Sequence, residues 1–256
     1  NGLMKEYIHG GDIYRHPDVL DFSANINPLG TPPAVVQAAK DSMERVCHYP
    51  DACQEKLKQA LAEYEQVPVE WLICGNGAAE LIFALVQAVK PKRALVMAPT
   101  FAEYAQALEA VGCEVDREIL KKEDGFTLQR TILEKLQKED LQMVFLCNPN
   151  NPTGILINPK LLREIVTICE KRNIYLVVDE CFLDFVSEPE VHTLKGELEG
   201  KQYLFLLKAF TKRYAMAGLR LGYGITSSET LMEKMEQQLQ PWNVSMPAQE
   251  AGVAAL

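Results

Sequence analysis

The sequence predicts a three-layer α/β/α domain built on a mostly parallel β-sheet. Short runs that are apolar throughout alternate with longer segments of helical periodicity, and strands lacking apolar–polar alternation are those covered on both faces. Length agrees: 256 residues, 48% of them hydrophobic, suffice for one large buried core plus a further fragment.

In chain order, 32–46 and 53–66 read as amphipathic helices and 78–90 as a strongly apolar one. "RALVMAP" (93–99) is an expected strand, followed by helices over 101–112 and 127–138. "LQMVFLC" (141–147) is a strand, 159–173 a helix, and "IYLVVDE" (174–180), "QYLFLL" (202–207) and "LRLGYGI" (219–225) are strands. A helix over 228–240 ends at "PWNVSMP", whose two prolines predict a linker, and a small apolar helix is expected from Ala248.

Composition removes several function classes. A net charge of −9 and a pI near 5.1 argue against nucleic-acid or anionic-membrane binding. No apolar run approaches the ~18 residues of a membrane span, and "NGLMKEYIHGGDIYRHP" has no signal-peptide core, with Met4 read as the native start. Seven scattered cysteines (Cys47, Cys53, Cys74, Cys113, Cys147, Cys169, Cys181), with no C-x-x-C pair, predict a reducing cytoplasm. The four histidines are dispersed, so no metal centre is expected.

In sheets of this class ligands sit beyond the carboxyl ends of the strands. Those ends carry "PTFAEY", "NPNNPTG", Asp179 with Glu180, and the lysines Lys208 and Lys212, so four strand ends rich in polar or aromatic groups converge on one crevice. "GNGAAE" (75–80) precedes the apolar helix and could set backbone N–H groups against a phosphate. It is not a dinucleotide fingerprint, because Glu80 holds the third glycine position, and no P-loop motif occurs.

"NPNNPTG", "VVDE" and "TKRYAMAGLRLGY", in that order, resemble the fold-type I pyridoxal-phosphate enzymes of the class I/II aminotransferase family. The branch is that of threonine-phosphate decarboxylase and histidinol-phosphate aminotransferase, and the resemblance runs from about His9 to the last residue. It implies a large cofactor-binding domain over 31–240, a substrate-contacting arm over 1–30, and over 241–256 a linker with the start of a small C-terminal domain largely absent here. In that family the lysine forming the Schiff base with pyridoxal 5'-phosphate lies eight residues before a phosphate-binding arginine. Counting back from Arg220 gives Lys212. Lys208, in "LKAF", is then expected to be a strand-end lysine reaching solvent.

The resemblance implies the remaining roles. Asp179 would hold the protonated ring nitrogen, and a bare aspartate ending an apolar strand is otherwise costly. Asn151 would bond the ring hydroxyl. Backbone N–H groups of Gly77, Ala78 and Ala79, with Thr211 and Arg220, would hold the phosphate. Phe101, or alternatively Tyr104, would stack on the ring. Tyr49 matches a tyrosine that reaches the phosphate from a neighbouring subunit, which implies a homodimer with shared sites.

Two features separate the branches. The transaminases usually read D-E-A-Y, whereas this chain reads "DECF", with Phe182 in the tyrosine's place. "HGGDIY" and "LDFSANINPLG" resemble the decarboxylases, in which the matching His9, Gly10 and Asn25 contact a phosphorylated substrate. The expected activity is decarboxylation of L-threonine O-3-phosphate to 1-aminopropan-2-yl phosphate, a step of cobalamin biosynthesis. Histidinol-phosphate transamination is the alternative. An inactive cofactor-binding module is a third reading, opposed by the intact set of Lys212, Asp179, Asn151 and Arg220.

Overall fold

The computed structural model describes residues 10–256, and among them seven strands form one sheet. They are β1 (Leu72–Gly75), β2 (Arg93–Ala98), β3 (Glu114–Ile119), β4 (Met143–Cys147), β5 (Tyr175–Asp179), β6 (Leu204–Ala209) and β7 (Gly222–Ile225). The order across the sheet is β1-β7-β6-β5-β4-β2-β3. Only β7 runs against its neighbours; the pairings of β2 with β3, β2 with β4, β4 with β5 and β5 with β6 are parallel. The expected mostly parallel sheet is therefore present.

The central strands read as apolar runs because both faces are covered. Every residue of β4 is buried, as are Leu204–Leu207 of β6. Each such side chain contributes about 1.5–3 kcal/mol by leaving water. α3 (Ala78–Val89) packs on β1, β6 and β7, and against α4 (Ala102–Ala110) and α8 (Glu229–Glu236). α6 (Pro159–Arg172) packs on β5. It starts at Asn158, whose Oδ1 accepts from the Lys160 and Leu161 N–H groups, and stops at Asn173 in the left-handed region. α1 (Pro33–Ser42) and α2 (Glu55–Glu65) both lie against α9 (Met246–Ala255), and a single-turn α7 (Pro189–His192) follows β5.

The expected helix over 127–138 is corrected by the structure to one turn, α5 (Ile132–Lys135). Its apolar stripe is real, since Leu128, Ile132 and Leu136 are buried. The backbone delivers them largely through i→i+3 bonds, such as Leu133 N–H to the Arg130 carbonyl and Gln137 N–H to that of Glu134. Such tight turns satisfy the same burial without a regular helix. α9 begins at Met246 rather than Ala248, because Ser245 caps it by accepting from the Ala248 N–H. Two strands have no apolar run long enough to mark them: β1 is four residues long, and β3, at the sheet edge, carries Glu114, Asp116, Arg117 and Glu118. Charges there discourage edge-to-edge pairing. Among the described residues no helix is long and apolar enough to cross a membrane.

Candidate active site

The carboxyl ends of β2, β4, β5 and β6 share one edge of the sheet, and the reversal of β7 brings its first residues to that edge too. A cavity of about 150 Å3 lies there. Its walls include Ala78, Ala79, Phe101, Asn151, Asp179, Thr211, Lys212 and Arg220. Residues from five separate elements and connections thus meet as the motifs lead one to expect.

Asp179 ends β5 opposite Cys147 of β4 and is buried. Both carboxylate oxygens are fixed: Oδ2 accepts from the Tyr104 hydroxyl at 2.5 Å and Oδ1 from the Cys181 N–H at 2.9 Å. Tyr104 is fully buried and stacks on Phe145 with ring centroids 4.9 Å apart. Burial, then the Asp179 charge, push its pKa well above the ordinary phenol value, so it is a permanent donor. Tyr104 therefore cannot stack in the crevice, which corrects that alternative. Phe101 lines the cavity, as does Phe182, and is placed to cover a cofactor face.

Lys212 follows β6 on a loop tied to the N-terminal segment. The Asn27 N–H donates to the Lys212 carbonyl (3.0 Å), Asn27 Nδ2 to that of Arg213 (2.8 Å), and Thr31 Oγ1 to that of Ala215 (2.5 Å). Sequence reasoning missed Asn27 and Thr31, because short polar residues in an arm carry no local signal of a distant partner. Burial lowers the Lys212 pKa; nearby Arg220 adds to the effect, while Cys181 and Asp179 oppose it. A larger neutral fraction makes the amine a better nucleophile.

The anion cup is built from close backbone approach. Gly77 precedes α3 with φ of +81°, and a Cβ there would collide with the Arg220 guanidinium. A Cβ on Gly222 would collide with the Ala78 nitrogen. The first residues of α3, Ala78 and Ala79, line the cavity beside Arg220 and no side chain caps that helix start, an arrangement suited to a phosphate. With Lys212 for covalent attachment, a fixed carboxylate at Asp179, an amide at Asn151 and a ring at Phe101, these residues fit pyridoxal phosphate. Among the described residues no group of His, Cys, Asp and Glu is placed to hold a metal.

Lys208 does not reach solvent, contrary to the expectation for a strand-end lysine. β6 lies between β5 and β7, and only 13% of the Lys208 side chain is exposed. Its Nζ is 3.3 Å from Glu65 Oε1 and 3.5 Å from Glu180 Oε2. The Tyr223 hydroxyl and Lys195 Nζ also donate to Glu65, at 2.5 and 3.1 Å. Burial disfavours the Lys208 ammonium, but Glu180 and Glu65 outweigh it and raise its pKa. Burial likewise penalises the Glu65 carboxylate, yet Lys208, Tyr223 and Lys195 hold its pKa below the usual range. Lys208 is thus engaged in structure. Lys208→Met should leave two buried carboxylates short of a partner and lower unfolding stability by about 3–5 kcal/mol. Urea unfolding measures this, and an unchanged midpoint would show the cluster to be dispensable.

A second cavity of about 420 Å3 adjoins the first through Asn151 and Phe182, and Asn25 lines it. Gly10 is exposed in the N-terminal segment, where a Cβ would collide with the Ser23 carbonyl. His9 lies outside the described residues. Tyr49 is 76% exposed and stacks on Trp242 at 4.5 Å, away from the crevice of its own chain.

The profile of the aminotransferase class I and II family matches residues 17–256. A threonine-phosphate decarboxylase of Salmonella typhimurium is 44% identical over 256 residues, covering 97% of this chain and 70% of that protein. A histidinol-phosphate aminotransferase of Anoxybacillus flavithermus is 32% identical over 245 residues, covering 95% and 65%. The crystal structure of the histidinol-phosphate aminotransferase from Clostridium acetobutylicum superposes with a TM-score of 0.83 at 29% identity, covering 92% of this chain and 68% of that one.

Proposed function

This chain belongs to the aminotransferase class I and II family, and from that premise we propose that it is a pyridoxal-phosphate-dependent decarboxylase. Its substrate is L-threonine O-3-phosphate and its products are CO2 and 1-aminopropan-2-yl phosphate, for cobalamin biosynthesis. The observation carrying this reading is the 44% identity to a threonine-phosphate decarboxylase over 97% of the chain. Of the residues in which this chain resembles the decarboxylases, His9, Gly10, Asn25 and Phe182, Asn25 and Phe182 line the cavity that adjoins Lys212.

Pyridoxal phosphate, when bound, supplies a conjugated ring that accepts the electron pair released as the Cα–carboxylate bond breaks. Lys212 Nζ would hold the cofactor, and Lys212 or a water would return a proton to the substrate Cα after CO2 has left. Asp179, aimed by the Tyr104 hydroxyl and the Cys181 N–H, would hold the proton on the ring nitrogen. Asn151 donates to the ring hydroxyl, and Phe182, lacking a phenol, leaves that bond to Asn151 alone. The Ala78 and Ala79 N–H groups, Thr211 and Arg220 would bind the cofactor phosphate; the Gly77 N–H, also expected there, instead donates to the Gly75 carbonyl at 2.8 Å. His9, Gly10 and Asn25, in the arm over 1–30, bind the substrate phosphate and exclude water.

The protein acts as a homodimer, with exposed Tyr49 reaching the neighbouring subunit's phosphate site. All seven cysteines are free, which suits the cytoplasm. Histidinol-phosphate transamination is the second reading, favoured by the relatives of that name. The test is CO2 release from O-phospho-L-threonine with no 2-oxo acid present, and L-threonine should react about a hundredfold more slowly, since it leaves phosphate donors unpaired. Glutamate formation from histidinol phosphate and 2-oxoglutarate, without CO2 release from O-phospho-L-threonine, would replace this reading with the second.

A further inference from the structure

Asn243 lies in the "PWNVSMP" segment, which reads as a linker, yet its side-chain amide uses all of its principal hydrogen-bonding capacity inside the protein. Its Nδ2 donates to the Cys74 carbonyl at 3.2 Å and to Glu80 Oε2 at 2.8 Å. Its Oδ1 accepts from Gln54 Nε2 at 2.9 Å. Cys74 belongs to β1, Glu80 to the first turn of α3, and Gln54 immediately precedes α2. Gln54 is buried, and so is Val244 next to Asn243, so the contact is anchored on both sides.

Glu80 matters because of where it stands. The same Oε2 also accepts from the Asn76 N–H at 2.7 Å, which closes the 75–80 loop whose following N–H groups form the anion cup. A carboxylate in the first turn of a helix competes with a bound phosphate for the same positive end. Here the two donors turn that oxygen toward Asn76 and Asn243, and Glu80 is not among the residues lining the cavity, whereas Ala78 and Ala79 are.

We propose that Asn243 is a positioning residue for the cofactor phosphate: it holds the Glu80 carboxylate behind the cup, and through Gln54 it couples the cup to the loop that carries Tyr49. This rests on the reading that pyridoxal phosphate occupies the crevice. It concerns only the phosphate end, which separates its failure from failure of that reading.

The experiment titrates apoprotein with pyridoxal phosphate and with pyridoxal, which lacks the phosphate, and follows absorbance and thermal unfolding. Asn243→Ala should weaken pyridoxal phosphate about tenfold and pyridoxal by less than about twofold, as expected for losing a hydrogen bond to a charged group. Asn243→Asp keeps the shape but sets a second carboxylate against Glu80, and should weaken pyridoxal phosphate further. Glu80→Gln keeps an oxygen acceptor for both donors without the charge, and should bind pyridoxal phosphate at least as tightly as the unaltered protein. Equal losses for the two ligands in the Asn243 variants would overturn the proposal, as would no loss in either. A Glu80→Gln loss as large as that of Asn243→Ala would also overturn it. If the unaltered protein binds neither ligand, the cofactor reading falls and this proposal falls with it.

Discussion

Replacing Lys212 with alanine should abolish the visible absorption of the cofactor-loaded protein and lower turnover by roughly a thousandfold or more, since in the proposed reaction one side chain is both the nucleophile that holds the cofactor and a proton donor. No neighbour can take over. Lys208, the other lysine of the same stretch, is committed to Glu65 and Glu180. Its pKa is raised, whereas that of Lys212 is lowered, so of the two lysines Lys212 gives up its proton the more readily. Lys208→Met therefore loses stability and keeps the chromophore. Absorption spectra of the two reconstituted variants decide the matter, and the reverse pattern would show the wrong lysine to have been assigned.

Asp179→Asn should retain cofactor and lose turnover by about 10²–10³-fold, the usual scale for removing a group aimed at developing charge in a dry site. The amide matches the carboxylate in shape but cannot stabilise a protonated ring nitrogen. The Cys181 N–H can still be satisfied by the amide oxygen. The buried Tyr104 hydroxyl would face either that oxygen or an N–H donor. Tyr104→Phe separates the effects: it leaves the charge in place, removes one orienting bond, and should cost about tenfold. Near-normal turnover in Asp179→Asn would remove this residue from the site.

Much of the crevice was legible because its residues sit at fixed offsets from strand ends. Asp179 closes an unbroken apolar strand, and Lys212 and Arg220 belong to one continuous motif, so their register survives folding. What was not legible depends on partners far away in the chain. Lys208 looks solvent-bound until Glu65, at the end of α2, is seen to reach it. Tyr104 and Phe101 are interchangeable as aromatic residues, and only the geometry sends one behind Asp179 and leaves the other in the cavity. β3 was hidden by its charges, and the periodicity over 127–138 was correct about burial but silent about whether helix or tight turns achieve it. Asn243 lies between prolines that mark an irregular segment, and a lone asparagine there says nothing of three distant partners.

The central claim is that the amine of Lys212 holds pyridoxal phosphate at the common edge of β4, β5 and β6. The most direct measurement is to load the protein with the cofactor, reduce it with borohydride so that the cofactor stays on whichever amine carries it, digest it, and map the added mass by peptide sequencing. The pyridoxyl group is expected on Lys212 at close to full occupancy, with Lys208 unmodified. Label on Lys208, or no single lysine labelled, would contradict it.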